Sequence, residues 1–181
     1  MKIREFVSVA ALAACCVFGV SSAGHAAELP PLSHSLTMLA PKPAPALRLK
    51  DLDGAVHDLA QLRGRVVLVN FWATWCPPCR REMPSMERLA QALKGEAFSV
   101  LAVNVGEDVD TIETFSGQLD TQLGFPVLLD SRSDTMQAWK VAGLPTTFVV
   151  DQRGRIVASA IGGREFDHPQ IIRAIRELLE K

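Results

Sequence analysis

From Val66 to Met86 the chain reads VVLVNFWATWCPPCRREMPSM, and that stretch restricts the fold more than any other. It opens on Val66-Val67-Leu68-Val69, a short, mostly β-branched run suited to a buried strand. It passes into a polar–apolar pattern, Arg80 to Leu93, that repeats at helical spacing. At the joint stand Cys76-Pro77-Pro78-Cys79. A helix N-terminus offers unpaired N–H groups and the positive end of the helix dipole, and both stabilise a thiolate. The thiolate is the nucleophile, and a second thiol one turn away can attack the resulting mixed disulfide. The chemistry implied is thiol–disulfide exchange.

The cysteine count depends on what precedes this stretch. Of four cysteines, Cys15 and Cys16 lie in a segment that reads as an export signal over residues 1–26. Lys2 and Arg4 are basic, Phe6 to Val20 is apolar, and Gly24-His25-Ala26 places small residues at the two positions a signal peptidase inspects. Cleavage after Ala26 is expected. An uncleaved membrane anchor and a lipobox ending at Cys15 (Leu12-Ala13-Ala14-Cys15) are the alternatives, and each puts the protein in the periplasm or its equivalent. The mature chain then keeps only Cys76 and Cys79, a pair too close in sequence to serve as a stabilising disulfide framework. Of 19 basic and 20 acidic residues, removing Lys2, Arg4 and Glu5 leaves 17 and 19, a balance of −2 that offers nucleic acid no electrostatic footing. Residues 27–46 are Pro-rich and aperiodic and read as a linker, in which His34 and Met38 carry no metal-site pattern.

The domain proper is expected over residues 47–181. Leu47-Arg48-Leu49 and Val56-His57 flank the turn signal Asp51-Leu52-Asp53-Gly54, predicting an N-terminal β-hairpin with His57 facing solvent. Asp58 caps a short turn to Leu62. After the Val66–Trp72 strand comes a helix from Pro77 to about Lys94, with Pro84 in its interior as a kink. Then follow a strand at Phe98–Val105, a helix from Asp108 to Leu119, and a short strand from Pro126 to Leu129. A helix capped by Ser133 or Asp134 runs to about Lys140. Strands at Thr146–Val150 and Ile156–Ile161 come next, and a helix at Gln170–Leu179 capped by Asp167 ends the chain. Strands alternating with helices argue an α/β fold, a central mixed sheet with helices on both faces.

At this point the chain resembles the thioredoxin superfamily, and within it the exported TlpA/ResA-like (CcmG/DsbE-like) branch. The resemblance covers about residues 40–181. It rests on Asn70-Phe71-Trp72-Ala73-Thr74-Trp75-Cys76-Pro77-Pro78-Cys79-Arg80-Arg81-Glu82-Met83-Pro84, on Gly143-Leu144-Pro145-Thr146-Thr147-Phe148, and on a helix–strand insert near residues 108–130. It implies a thioredoxin-like fold without a cofactor, Cys76 as attacking thiolate and Cys79 as resolving thiol, the two forming the redox disulfide. Trp75 would cover that disulfide and shape the contact surface. Pro145 would be a cis-proline opposite the motif, freeing the Leu144 backbone to pair with an extended client. The position of a thioredoxin strand acid is held by Asn70, which does not titrate, while such relatives usually have a glutamate where Glu82 stands. Glu82 lies three residues after Cys79, on the same helix face, and would accept and return the resolving thiol's proton. Its alternative is a surface carboxylate paired with Arg80, Arg81 or Arg88.

Pro77 and Pro78 supply neither amide donors nor charge to Cys76. A strongly oxidising pair such as that of DsbA needs a thiolate of pKa about 3.5. A milder depression, and a reducing couple, is expected here. The resemblance then implies a DsbD- or CcdA-like membrane electron donor and a disulfide-bearing client, with apocytochrome c the commonest client class. A second reading is a Cu(I)-handling chaperone or a reductant of copper-site cysteines, because thiolates suit Cu(I). Zinc wants four ligands and is offered two. A peroxidase lacks its usual threonine ahead of a single reactive cysteine.

Overall fold

The computed structural model describes residues 30–180. The export-signal reading of residues 1–26, Cys15 included, lies outside them. Strand β4 in chain order, Val66–Trp72, is the axis of the fold and is buried along its whole length. Side chains of a strand alternate between faces. Val66, Leu68 and Trp72 accordingly join one core, while Val67, Val69 and Phe71 join another. A strand with two cores must be central. Six strands pair in the order β1-β8-β7-β4-β5-β6. Strands β4, β5 (Phe98–Val105) and β6 (Val127–Asp130) run parallel; β7 (Thr146–Val150), β8 (Arg155–Ile161) and β1 (Thr37–Pro43) are antiparallel additions on the other side.

The first core lies under α1 (Pro77–Ala92), α2 (Val109–Ser116) and α4 (Pro169–Leu179). Cys79, Met83, Met86 and Leu89 come from α1, Ile112 and Phe115 from α2, and Ile171, Ile175 and Leu178 from α4. The second core is closed by the short α3 (Asp134–Ala138), by Trp139 and Val141 after it, and by Leu47 and Leu59. Each large side chain removed from water contributes about 1.5–3 kcal/mol, so both faces of β4 help to hold the redox motif that follows it. The insert expected near residues 108–130 is α2 and β6, and β6 extends the sheet beside β5. The hairpin of β2 (Arg48–Lys50) and β3 (Val56–Asp58) forms a separate two-stranded sheet, with Gly54 at φ 83° completing its turn.

Several local expectations need correction. Seven residues of the stretch read as linker are strand β1, paired to β8 with a register shift between Met38 and Lys42. Pro41 and Pro43 masked it, because proline is tolerated only at a sheet edge or bulge, and β1 is an edge. His57 does not face solvent freely: its Nε2 lies 2.6 Å from Asp51 Oδ2, and this contact is the leading cause that lowers the Asp51 carboxyl pKa. Ser133 is the N-cap residue of α3 but its side chain makes no capping hydrogen bond; the carboxylate of Asp130 accepts from the Thr135 and Met136 N–H groups instead. Helix α4 is capped by His168 Nδ1, which accepts from Gln170 N–H, while Asp167 pairs with Arg88 at 2.5 Å. Helix α2 ends at Ser116, short of Leu119. Helix α1 ends at Ala92, short of Lys94, with Pro84 in its interior.

Candidate active site

Strand β4 ends at Trp72, and four residues later the chain enters α1 with Cys76 as its N-cap residue. Pro77 and Pro78 fill the first two helical positions, where a missing N–H costs nothing. The Cys79 N–H is therefore the first amide of α1 that can face an N-cap group. Cys76 and Cys79 are joined, with an S–S distance of 2.08 Å and Cα atoms 5.3 Å apart. Their exposures are 3% and 0%, so in this oxidised state only the edge of Cys76 meets solvent. Trp75 is 68% exposed and stands at the surface beside the pair.

The loop that presents Cys76 is held by a residue that sequence reasoning missed. Glu107, just after β5, accepts from the Thr74 N–H at 2.8 Å and from the Thr74 hydroxyl at 2.5 Å. Buried Asn104 steadies the same carboxylate with its Nδ2 at 2.6 Å. An acid shortly before a helix looks like any residue favoured near the positive helix end, so nothing in its spacing singled it out. Replacing Glu107 with alanine should lower the stability of the oxidised protein by about 1–3 kcal/mol, because buried donors lose their acceptor. The check is the urea midpoint; an unmoved midpoint would mean that Thr74 is held by something else.

Antiparallel pairing of β4 with β7 matches Phe71 with Thr146, so Leu144-Pro145 sits at the sheet end where β4 delivers Cys76. The Leu144–Pro145 peptide is cis. The Pro145 carbonyl accepts from Gly162 N–H, whereas Leu144 takes no backbone partner among the described residues. Ile161, at the end of β8, is 76% exposed at the same sheet end. The next loop closes on α1: a Cβ on Gly163 would lie 3.3 Å from both Cβ and the carbonyl oxygen of Pro78, and 2.6 Å from Leu32 Cδ2. A side chain here would push Leu32 aside and press on Pro78, so glycine lets the loop lie this close to the motif.

Glu82 is fully buried, and none of the three arginines weighed above is its partner. Arg80 lies over the Phe115 ring, Arg81 donates to the Pro30 carbonyl, and Arg88 pairs with Asp167 and Glu165. Instead, Oε1 of Glu82 accepts from Asn70 Nδ2 at 2.8 Å, and Oε2 accepts from the Arg164 backbone N–H at 2.9 Å. Burial pushes the Glu82 carboxyl up to about 8, against the pull of those two hydrogen bonds and of the Arg164 charge. An ordinary thiol titrates near 8.5. Burial thus brings an acid one helical turn from Cys79 close to a thiol in proton affinity, the condition for passing a proton either way.

The six-stranded sheet covered by helices, with a Cys-x-x-Cys pair opening α1 and a cis-proline at the same sheet end, defines a thioredoxin-like protein. The model of the AhpC/TSA family matches residues 40–159, and the chain belongs to that family. It is 42% identical over 113 residues to the thiol-disulfide oxidoreductase ResA of Geobacillus kaustophilus, a match covering 62% of this chain and 64% of that relative. The chain thus spans less than two thirds of that relative's length. With the ResA of Halalkalibacterium halodurans it shares 36% identity over 73% of this chain and 72% of the relative. Among solved structures it resembles a candidate thiol:disulfide interchange protein DsbE of Chlorobium tepidum. That likeness has a TM-score of 0.70 and 30% identity, and covers 79% of this chain and 99% of the other.

Proposed function

We propose that the protein is a thiol–disulfide oxidoreductase that reduces disulfides of exported proteins, with Cys76 and Cys79 as its exchanging pair. The observation that carries this reading is the placement of Cys76 as N-cap of α1, joined to Cys79 and flanked by an exposed Trp75. In the reduced protein the Cys76 thiolate attacks one sulfur of the client disulfide. A mixed disulfide forms, and the client's other sulfur leaves as a thiolate. Cys79 gives its proton to the Glu82 carboxylate, and its thiolate attacks Cys76 Sγ. The pair closes to a disulfide, the client's second sulfur departs, and the proton returns from Glu82 to a leaving thiolate or to water. Two electrons pass from the pair to the client. The unpartnered Leu144 backbone beside cis-Pro145 supports client binding by strand addition.

The reducing direction rests on Pro77 and Pro78. They remove two of the amide donors that would otherwise stabilise the Cys76 thiolate. A redox titration should place the couple in the thioredoxin range, near about −270 mV, and a value near the −120 mV of DsbA would overturn the reductase direction. Apocytochrome c fits as client and a DsbD- or CcdA-like membrane protein as electron donor, in a periplasmic or equivalent setting reached through residues 1–26. Among the described residues, no helix is long and apolar enough to cross a membrane. Among the described residues, nothing in the geometry favours the copper-handling reading: His34 stacks on His168 with ring centroids 4.4 Å apart, and Met38 lies exposed in β1.

A further inference from the structure

We propose that Asn70 is the positioning residue that follows the proton on Glu82, its carboxamide standing NH2-first toward the carboxylate and turning over to stand carbonyl-first toward the carboxylic acid. This deepens the relay reading given above and rests on it. The argument starts from the donors around Glu82. One carboxylate oxygen faces the Asn70 NH2 group and the other faces a backbone N–H, that of Arg164. Both donors suit a carboxylate. When Glu82 takes a proton, one of its two oxygens becomes a donor, and in this arrangement neither hydrogen-bond partner of its carboxyl offers that proton an acceptor. A backbone N–H cannot become an acceptor. A primary amide can, by a half-turn about a soft terminal torsion that exchanges groups of nearly equal size.

Two further features fit that turn. The Asn70 carbonyl oxygen is buried without a hydrogen-bond partner, although buried polar groups are almost always paired. In the turned state that oxygen accepts from the Glu82 acid, and the NH2 group takes the unpartnered place, so one unsatisfied group replaces another. The other neighbour can reverse as well. Thr147, paired with Asn70 across β4 and β7, accepts from Asn70 Nδ2 at 2.9 Å through a hydroxyl that can equally donate to a carbonyl.

The charged surroundings of Glu82 are few. From α1 comes Cys79, which does not titrate while disulfide-bonded; β4 and β7 supply only the neutral Asn70 and Thr147. The β8–α4 loop supplies Arg164, whose guanidinium is occupied by the carbonyls of Ser35, Gly162 and Gly163. Among the described residues, Asn70 is therefore the one hydrogen-bond partner of the Glu82 carboxyl that can change polarity with it.

The test is nuclear magnetic resonance of the oxidised full-length protein at pH 6 and pH 9.5, with isotope labels on Asn70 and Glu82. Cross-peaks between the Asn70 amide protons and the Thr147 side chain should be present at pH 9.5 and lost at pH 6, with a midpoint that tracks the Glu82 carboxyl carbon. In Glu82→Gln the side chain donates toward Asn70 at every pH, so those cross-peaks should be absent at both. Cross-peaks that persist at pH 6 while the Glu82 carbon titrates would overturn the proposal. Replacing Asn70 with leucine removes a partner from both forms of Glu82, and because hydrogen bonds to an ionised group are the stronger, the titration should move upward by about one pH unit. An unmoved titration would remove the positioning role. The relay itself is read separately, from the pH profile of mixed-disulfide resolution in Glu82→Gln. If that profile matches the wild type, the relay reading fails whatever the amide does; if it changes while Asn70 stays fixed, this inference alone fails.

Discussion

Cys79→Ser, reduced and mixed with exported proteins that carry disulfides, should accumulate a covalent adduct through Cys76. Attack on the client needs only the Cys76 thiolate, while release needs the thiol one turn along the helix. With that thiol gone, resolution depends on free thiol from solution. Intramolecular attack has an effective concentration far above millimolar, so resolution should slow by about a thousandfold or more. Cys76→Ser should form no adduct and should turn over no client. The adduct is seen as a mass shift that a strong reductant reverses, and the captured chain names the client. If Cys79→Ser turned over clients at the wild-type rate, Cys79 would not be the resolving thiol.

The second large effect concerns stability and pH. The Glu82 carboxyl is raised from an ordinary 4.5 to about 8 by burial, so the folded protein keeps a proton that the unfolded chain releases. The stabilisation from that proton is fully present below about pH 4.5, declines as the pH rises, and is gone above about pH 8. Its size is a few kcal/mol, at most about 5, from the linkage between proton affinity and folding. Glu82→Gln cannot ionise, so it should lose this slope and be the more stable form at pH 9. At pH 5 the two proteins should lie close together. Urea midpoints at pH 5, 7 and 9 on the oxidised proteins decide it, and parallel curves for the two would show that Glu82 does not hold the proton.

Much of this site could be read from the chain because its central motif is local. The run at Val66, the cysteine spacing and the helical pattern after Arg80 lie within one stretch, and each obeys its own periodicity. What escaped was long-range or atypical. Strand β1 was hidden by prolines that only an edge accommodates, and its partner is more than a hundred residues away at β8. The caps of α3 and α4 went to Asp130 and His168 because several capping residues stood side by side, and only the folded loops choose among them. Glu107 and Arg164 reach the site from the ends of β5 and β8, and no spacing rule links either to Cys76. The site of Glu82 was half legible: its helix face followed from its distance to Cys79, its burial only from the loop that covers it.

The contact between Leu32, Gly163 and Pro78 bears on how the molecule faces its surroundings. Leu32 lies against the glycine that touches the redox motif, Ser33 pairs with the same loop, and the Pro30 carbonyl receives Arg81 from the second turn of α1. The described chain therefore begins beside the reactive end of the domain, away from the far ends of its strands.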